Sequence, residues 1–183
     1  MAAKIVENEK TAKAQKVTNQ PDGPGLRIGK RGVISGIVPL VPGGAGMFRD
    51  RLPQFQAEAP YWEDRIGTAH EFIMFLFDND TKLYFSVIFD GDFKPYIDDF
   101  VNKGGPWFDS LFMGVVDGYK KMSDPGFLGW FGQFLIGGEF FYASYPEATR
   151  RDVEKALRVS NAFEYLLDQA QSWRETDDHC SQC

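Results

Sequence analysis

The residue that stands out for chemistry is His70, because it lies in an otherwise apolar run, Ala69-His70-Glu71-Phe72-Ile73-Met74-Phe75-Leu76. An imidazole changes charge near neutral pH, so it serves as general acid, general base or metal and haem ligand. Asp90 and Asp92 flank Gly91 twenty residues on, and a carboxylate there could assist a proton transfer or grip a cation. His70 as base or proton donor with Asp90 as its helper is therefore the candidate catalytic pair. Both residues also have structural explanations: a hydrogen-bonded core or interface histidine, and a turn followed by a helix cap. Glu71 points away from His70 if the strand alternates regularly.

Aromatic side chains supply the second candidate set. Seventeen Phe, seven Tyr and four Trp are a high load for 183 residues. Tyr84, Trp107, Tyr142 and Phe72 are expected to line a pocket for an aromatic or apolar ligand, with plain core packing as the alternative. Haem is the one cofactor the residues suggest, with His70 as axial ligand; the other expectation is no cofactor. His179, Cys180 and Cys183 form a soft-ligand cluster, but one CxxC at a chain end is a poor metal site. Gly43-Gly44-Ala45-Gly46 has no Lys-Ser/Thr at Walker spacing, and GxSxG is absent.

The elements that must hold these residues are legible in part. Val33–Val41 is β-branched and short, so it reads as a strand. Met47, Phe48, Leu52 and Phe55 share one face of a helix of about three turns that ends before Pro60. Residues 66–77 and 82–89 read as a β-hairpin around Asp78-Asn79-Asp80. In its first strand His70, Phe72, Met74 and Leu76 are assigned to one face and Ala69, Glu71, Ile73, Phe75 and Phe77 to the other. Phe93, Tyr96, Ile97, Phe100 and Val101 recur at helical spacing, with Asp92 as cap and Gly104-Gly105-Pro106 as stop. Residues 105–138 form an aromatic, glycine-punctuated insert, either a binding wall or a plug for the core. Residues 139–145 read as a last strand, and Thr149-Arg150-Arg151-Asp152 as a capping box that opens a long amphipathic helix.

Length and composition predict a single domain over 33–171, with a flexible polar arm at 1–32 and a polar tail at 172–183. A formal charge of −6 offers no footprint for nucleic acid. No run reaches the ~20 apolar residues of a membrane span, and both cysteines sit at the C-terminus, so a soluble cytoplasmic protein is expected.

Strand, helix, hairpin, helix, insert, strand, helix is the split βαβ, ferredoxin-like α+β pattern with an antiparallel sheet. Its helices cover one sheet face. Because the hairpin is apolar on both faces, the second face predicts an isologous homodimer. Gly67-Thr68-Ala69-His70, residues 83–91 and Tyr96-Ile97-Asp98-Asp99-Phe100, with Phe141–Pro146 more loosely, resemble uncharacterised bacterial members of the dimeric α/β-barrel superfamily. That resemblance implies a dimeric α/β barrel. It also implies neighbours such as antibiotic-biosynthesis monooxygenases, polyketide cyclases and haem peroxidases. The expected function is then a small-molecule enzyme, oxygenase- or cyclase-like, acting on an apolar substrate between sheet and helices. A haem peroxidase-like protein and a non-catalytic binding module are the alternatives.

Overall fold

The computed structural model describes residues 16–180, with side chains to Gln171. The elements are β1 (Thr18–Asn19), β2 (Leu26–Ile28), β3 (Arg31–Pro39), α1 (Gly44–Ile66), β4 (Ala69–Phe77), β5 (Lys82–Asp90), α2 (Phe93–Asp99), α3 (Gly105–Phe112), α4 (Phe127–Phe131), β6 (Leu135–Ile136) and α5 (Arg150–Cys180). The chain is thus α+β with one antiparallel sheet of six strands, ordered β1-β2-β3-β5-β4, with β6 also paired to β3. Residues 18–28, assigned by sequence to the arm, supply two of those strands.

The hairpin forms as its residues dictate. Asp78, Asn79 and Asp80 all have positive φ, a region that Asn and Asp tolerate better than other side chains. Arg49 of α1 grips Asp80 through two bonds of 2.8 Å, tying the turn to the helix. On the helix side of the sheet, Ile34, Val38, Leu83, Val87 and Phe89 meet Phe48, Phe55, Tyr96, Phe100, Trp107 and Leu111 in one core. Gly32 and Gly36 face that core opposite Phe89 and Phe85, and the aromatic rings occupy the space a Cβ would take.

Two helices run past their expected ends. α1 continues through Pro53 and Pro60 to Ile66, and Gly67 at φ 73° closes it with a bond of 2.8 Å from its N–H to the Glu63 carbonyl. Burial of Phe48, Phe55 and Ile66 on one face outweighs the local cost of the prolines. Gly104-Gly105-Pro106 does not stop the next helix either. A π-turn, Phe100–Gly104, carries α2 into α3, where Pro106 sits in the first turn and needs no N–H partner.

The insert is a plug. Trp107, Phe108, Leu111, Val115, Val116, Met122 and Phe127 are buried in the core, and Trp107 stacks on Phe55 at 4.0 Å between ring centres.

The expected strand at 139–145 is absent. Its place beside β3 is already filled by β2, through Leu26 and Val33, and by β6, through Ile136 and Ser35. The segment instead lays Phe141 against Leu26 and Ile28 in a second small cluster on the other side of the sheet.

The capping box of α5 is reciprocal. The backbone N–H and hydroxyl of Thr149 donate to Asp152 at 3.0 and 2.7 Å, and the Asp152 N–H donates to the Thr149 oxygen at 3.2 Å. These bonds, the side-chain one foremost, hold the Asp152 carboxyl below its usual range. A depressed carboxyl stabilises the fold above its unfolded pKa and loses that contribution as pH falls through the folded value. Thr149→Ala is expected to cost about 1 kcal/mol and to flatten the acid-induced loss of helicity, read by circular dichroism. An acid transition unchanged in the variant would contradict this.

Candidate functional site

The site begins with an irregularity that alternation cannot reveal. In the β4–β5 ladder Ala69 pairs with Phe89 and Glu71 with Ile88, so His70 is an extra residue, a β-bulge. Ala69 and Phe72 both face the core, while His70 and Glu71 both turn to the opposite side. The sequence-based assignment of His70 to the face of Phe72, Met74 and Leu76, away from Glu71, is corrected accordingly: one inserted residue shifts the phase of everything before it.

The bulge aims His70 at Asp90, the last residue of β5, with Nε2 and Oδ1 2.7 Å apart. The two side chains are only 10% and 12% exposed. Asp90 Oδ2 accepts a second bond, 2.7 Å, from the backbone N–H of Arg150 at the start of α5. A carboxylate that already accepts an N–H is best matched by a donor, so Nε2 carries the His70 proton. Nδ1 then presents a lone pair, and it has no hydrogen-bond partner among the described residues.

Arg150 locks the arrangement from outside. Its guanidinium donates to the Glu63 carbonyl at the end of α1 and pairs with Glu154 at 2.9 Å. Burial raises the Glu63 carboxyl pKa, and the positive charge of Arg150 offsets part of that rise.

Beside the pair lies a cleft of about 270 Å³ between the sheet and the 141–145 segment, lined by Arg31, Glu71, Ile88 and residues 141–145. Neither His70 nor Asp90 lines the cleft itself; their neighbours do, Arg31 as the cross-strand partner of Asp90 and Glu71 as the residue after His70. Arg31 Nε is shut off from solvent without an acceptor among the described residues. Sequence reasoning missed Arg31 and Arg150 and turned Glu71 away from His70, because only strand register, the bulge and helix placement bring them together.

The expected aromatic lining is not assembled in one place. Tyr142 borders the cleft. Tyr84 stands farther along the same sheet face, donating to Ser35 at 3.1 Å and stacking on Phe75. Trp107 is buried on the helix side and donates to the Phe55 carbonyl at 3.0 Å, and Phe72 packs edge-on against it. Two cavities lie between sheet and helices: one of about 260 Å³ is lined by Phe72 and Trp107 together with Phe48, Leu52, Phe55 and Met74, and a second, walled entirely by apolar surface, holds about 50 Å³. Benzene occupies an engineered cavity of about 150 Å³, so the second is too small for an aromatic substrate. His70 lines neither. Asp92, which the sequence marks as a helix cap, makes no side-chain cap and pairs with Arg27.

No group of three or more metal-binding side chains clusters among the described residues. Cys183 lies outside the described residues, and the side chains of His179 and Cys180 outside the described side chains. Among the described residues no helix is long and apolar enough to cross a membrane. The chain matches no protein-family model, no curated protein and no solved structure.

Proposed function

We propose that the protein is a small-molecule enzyme in which His70 transfers a proton to and from a ligand held in the cleft. The His70–Asp90 contact at 2.7 Å, with the second carboxylate oxygen fixed by Arg150, carries this reading. A base needs a free lone pair, a partner that stabilises the imidazolium, and a neighbouring space for substrate. Nδ1 takes a proton from a carbon or hydroxyl acidified by an adjacent carbonyl or ring. Asp90 balances the resulting charge, and the proton returns to product. Ring closure follows if the carbanion attacks a carbonyl of the same substrate, and oxygenation if it reacts with dioxygen; both match a cyclase- or oxygenase-like activity.

The cleft limits the substrate. Pockets for drug-sized ligands span roughly 300–1,000 Å³, so about 270 Å³ suits a compact, single-ring molecule. Tyr142 and Phe141 offer it apolar surface, and Arg31 a charged donor. A haem does not fit: the cleft is too small for the macrocycle, and Nε2 is already engaged by Asp90.

We also propose that the fold is ferredoxin-like. With β3, β4, β5 and β6 as strands one to four, the sheet order is 4-1-3-2 with α1 and α2–α3 as crossovers, the split βαβ arrangement. This supports the ferredoxin-like assignment. Sheet-to-sheet pairing in a dimeric barrel has less support, since residues 139–146 cover part of that face and leave Ile73 and Phe75 of β4 as its main exposed apolar surface.

One observation favours a structural alternative: Asp90 also anchors the first turn of α5, so the pair could be a latch in a non-catalytic module. Exchange of the α-protons of a small aryl ketone in D₂O, followed by proton NMR, separates the two. Acceleration by the protein is expected; a ketone that binds in the cleft without accelerated exchange favours the latch. Arg31→Gln is expected to weaken binding of benzoate about tenfold or more, since a charged hydrogen bond is worth about 1.5–3 kcal/mol. Equal affinity in titration calorimetry would remove Arg31 from the site.

A further inference from the structure

α5 is 31 residues, about 46 Å at 1.5 Å per residue, and among the described residues its start is bonded to the body of the protein. Arg150 makes those contacts, to Asp90 and the Glu63 carbonyl. From Arg151 to Gln171 every residue except Glu154 is exposed. The exposed set includes Leu157, Val159, Phe163 and Leu166, the last two 60% and 63% accessible. A lone helix with such a stripe gains little from its own backbone bonds in water and takes its stability from covering the apolar face.

The spacing says what kind of cover fits. Ala156, Val159, Phe163, Leu166 and Ala170 recur at steps of three, four, three and four, the seam of a two-helix coiled coil. An axis at residue 161 maps the seam from Ala156 to Leu166 onto itself: Val159 exchanges with Phe163, and Ala156 with Leu166. Charge is arranged by halves. Arg150, Arg151, Lys155 and Arg158 against Asp152 and Glu154 make residues 150–160 basic, whereas residues 161–171 carry only Glu164 and Asp168. A parallel pair places like halves together. An antiparallel pair sets basic against acidic, with Phe163 opposite Val159 of the other copy, Ala156 opposite Leu166, and Arg158 near Glu164.

We propose that α5 is a self-association element, pairing antiparallel with α5 of a second copy of this chain around a two-fold axis near Asn161. Both copies use the same surface, so the contact closes at a dimer. This is independent of the chemistry proposed for His70.

Sedimentation of the full chain at micromolar concentration tests it. A dimer is expected, and Phe163→Glu with Leu166→Glu is expected to weaken it at least a hundredfold, to monomer. Circular dichroism confirms that the body of the variant stays folded. Orientation is read by oxidation with Cys180 and Cys183 changed to serine. Ala156→Cys mixed with Leu166→Cys should cross-link, and Ala156→Cys alone should not. A wild-type monomer, whether α5 stays free or folds onto its own sheet, overturns the proposal. So does a dimer that survives Phe163→Glu with Leu166→Glu, or self-cross-linking of Ala156→Cys.

Discussion

His70→Gln is expected to slow proton exchange on a cleft-bound ketone by roughly 10²–10⁴-fold while leaving the fold intact. The glutamine amide can still donate to Asp90, which preserves the bond that positions α5, but it has no lone pair of useful basicity. The separation of the two effects is what makes this substitution informative. If Asp90 and His70 serve only as a latch, exchange is the same in both proteins. If His70 is the base, exchange falls and the melting temperature barely moves. Asp90→Asn is a partial version, since its amide oxygen can still accept from Nε2 or from Arg150, but it no longer stabilises an imidazolium.

Trp107→Ala is expected to be the most damaging single change to stability. The indole is 2% exposed, stacks on Phe55 at 4.0 Å and donates to the Phe55 carbonyl at 3.0 Å. Truncation of a buried aromatic costs roughly 3–5 kcal/mol, and the Phe55 carbonyl loses its side-chain donor as well. For a domain of this size about 4 kcal/mol corresponds to a fall of roughly 12 °C in melting temperature. The loss should appear in thermal denaturation without a change in proton exchange at 20 °C, because Trp107 lies on the helix side of the sheet and the cleft on the other. A variant with near wild-type stability would mean that the insert is not the plug it is described as.

How far the sequence reveals this molecule depends on the range of the signal. The β4–β5 hairpin, the start of α2 and the capping box of α5 rest on neighbours within a few residues, and each is where local pattern places it. α1 outruns its predicted limit, and α2 runs on through the π-turn into α3, because buried Phe48, Phe55, Ile66 and Trp107 override proline and glycine, which is a tertiary effect. The strand expected at 139–145 fails for a reason no local pattern holds, since β2 and β6 occupy the edge of β3 first. The site divides the same way. His70 and Asp90 stand out by residue type, but their contact depends on a one-residue bulge, and Arg31, Glu71 and Arg150 enter only through register and helix placement. Trp107 and Phe72 pack together on the helix side of the sheet, while Tyr84 and Tyr142 lie on the other face.

The most direct test of the proton-transfer site is nitrogen NMR of the His70 ring, recorded with and without a single-ring carboxylate such as benzoate. The geometry predicts a proton on Nε2, a bare Nδ1, and a shift of the Nδ1 resonance when the probe enters the cleft. A proton found on Nδ1 in the free protein, or an Nδ1 resonance that stays fixed while Arg31 and Tyr142 signals report the probe as bound, would contradict a catalytic role for His70.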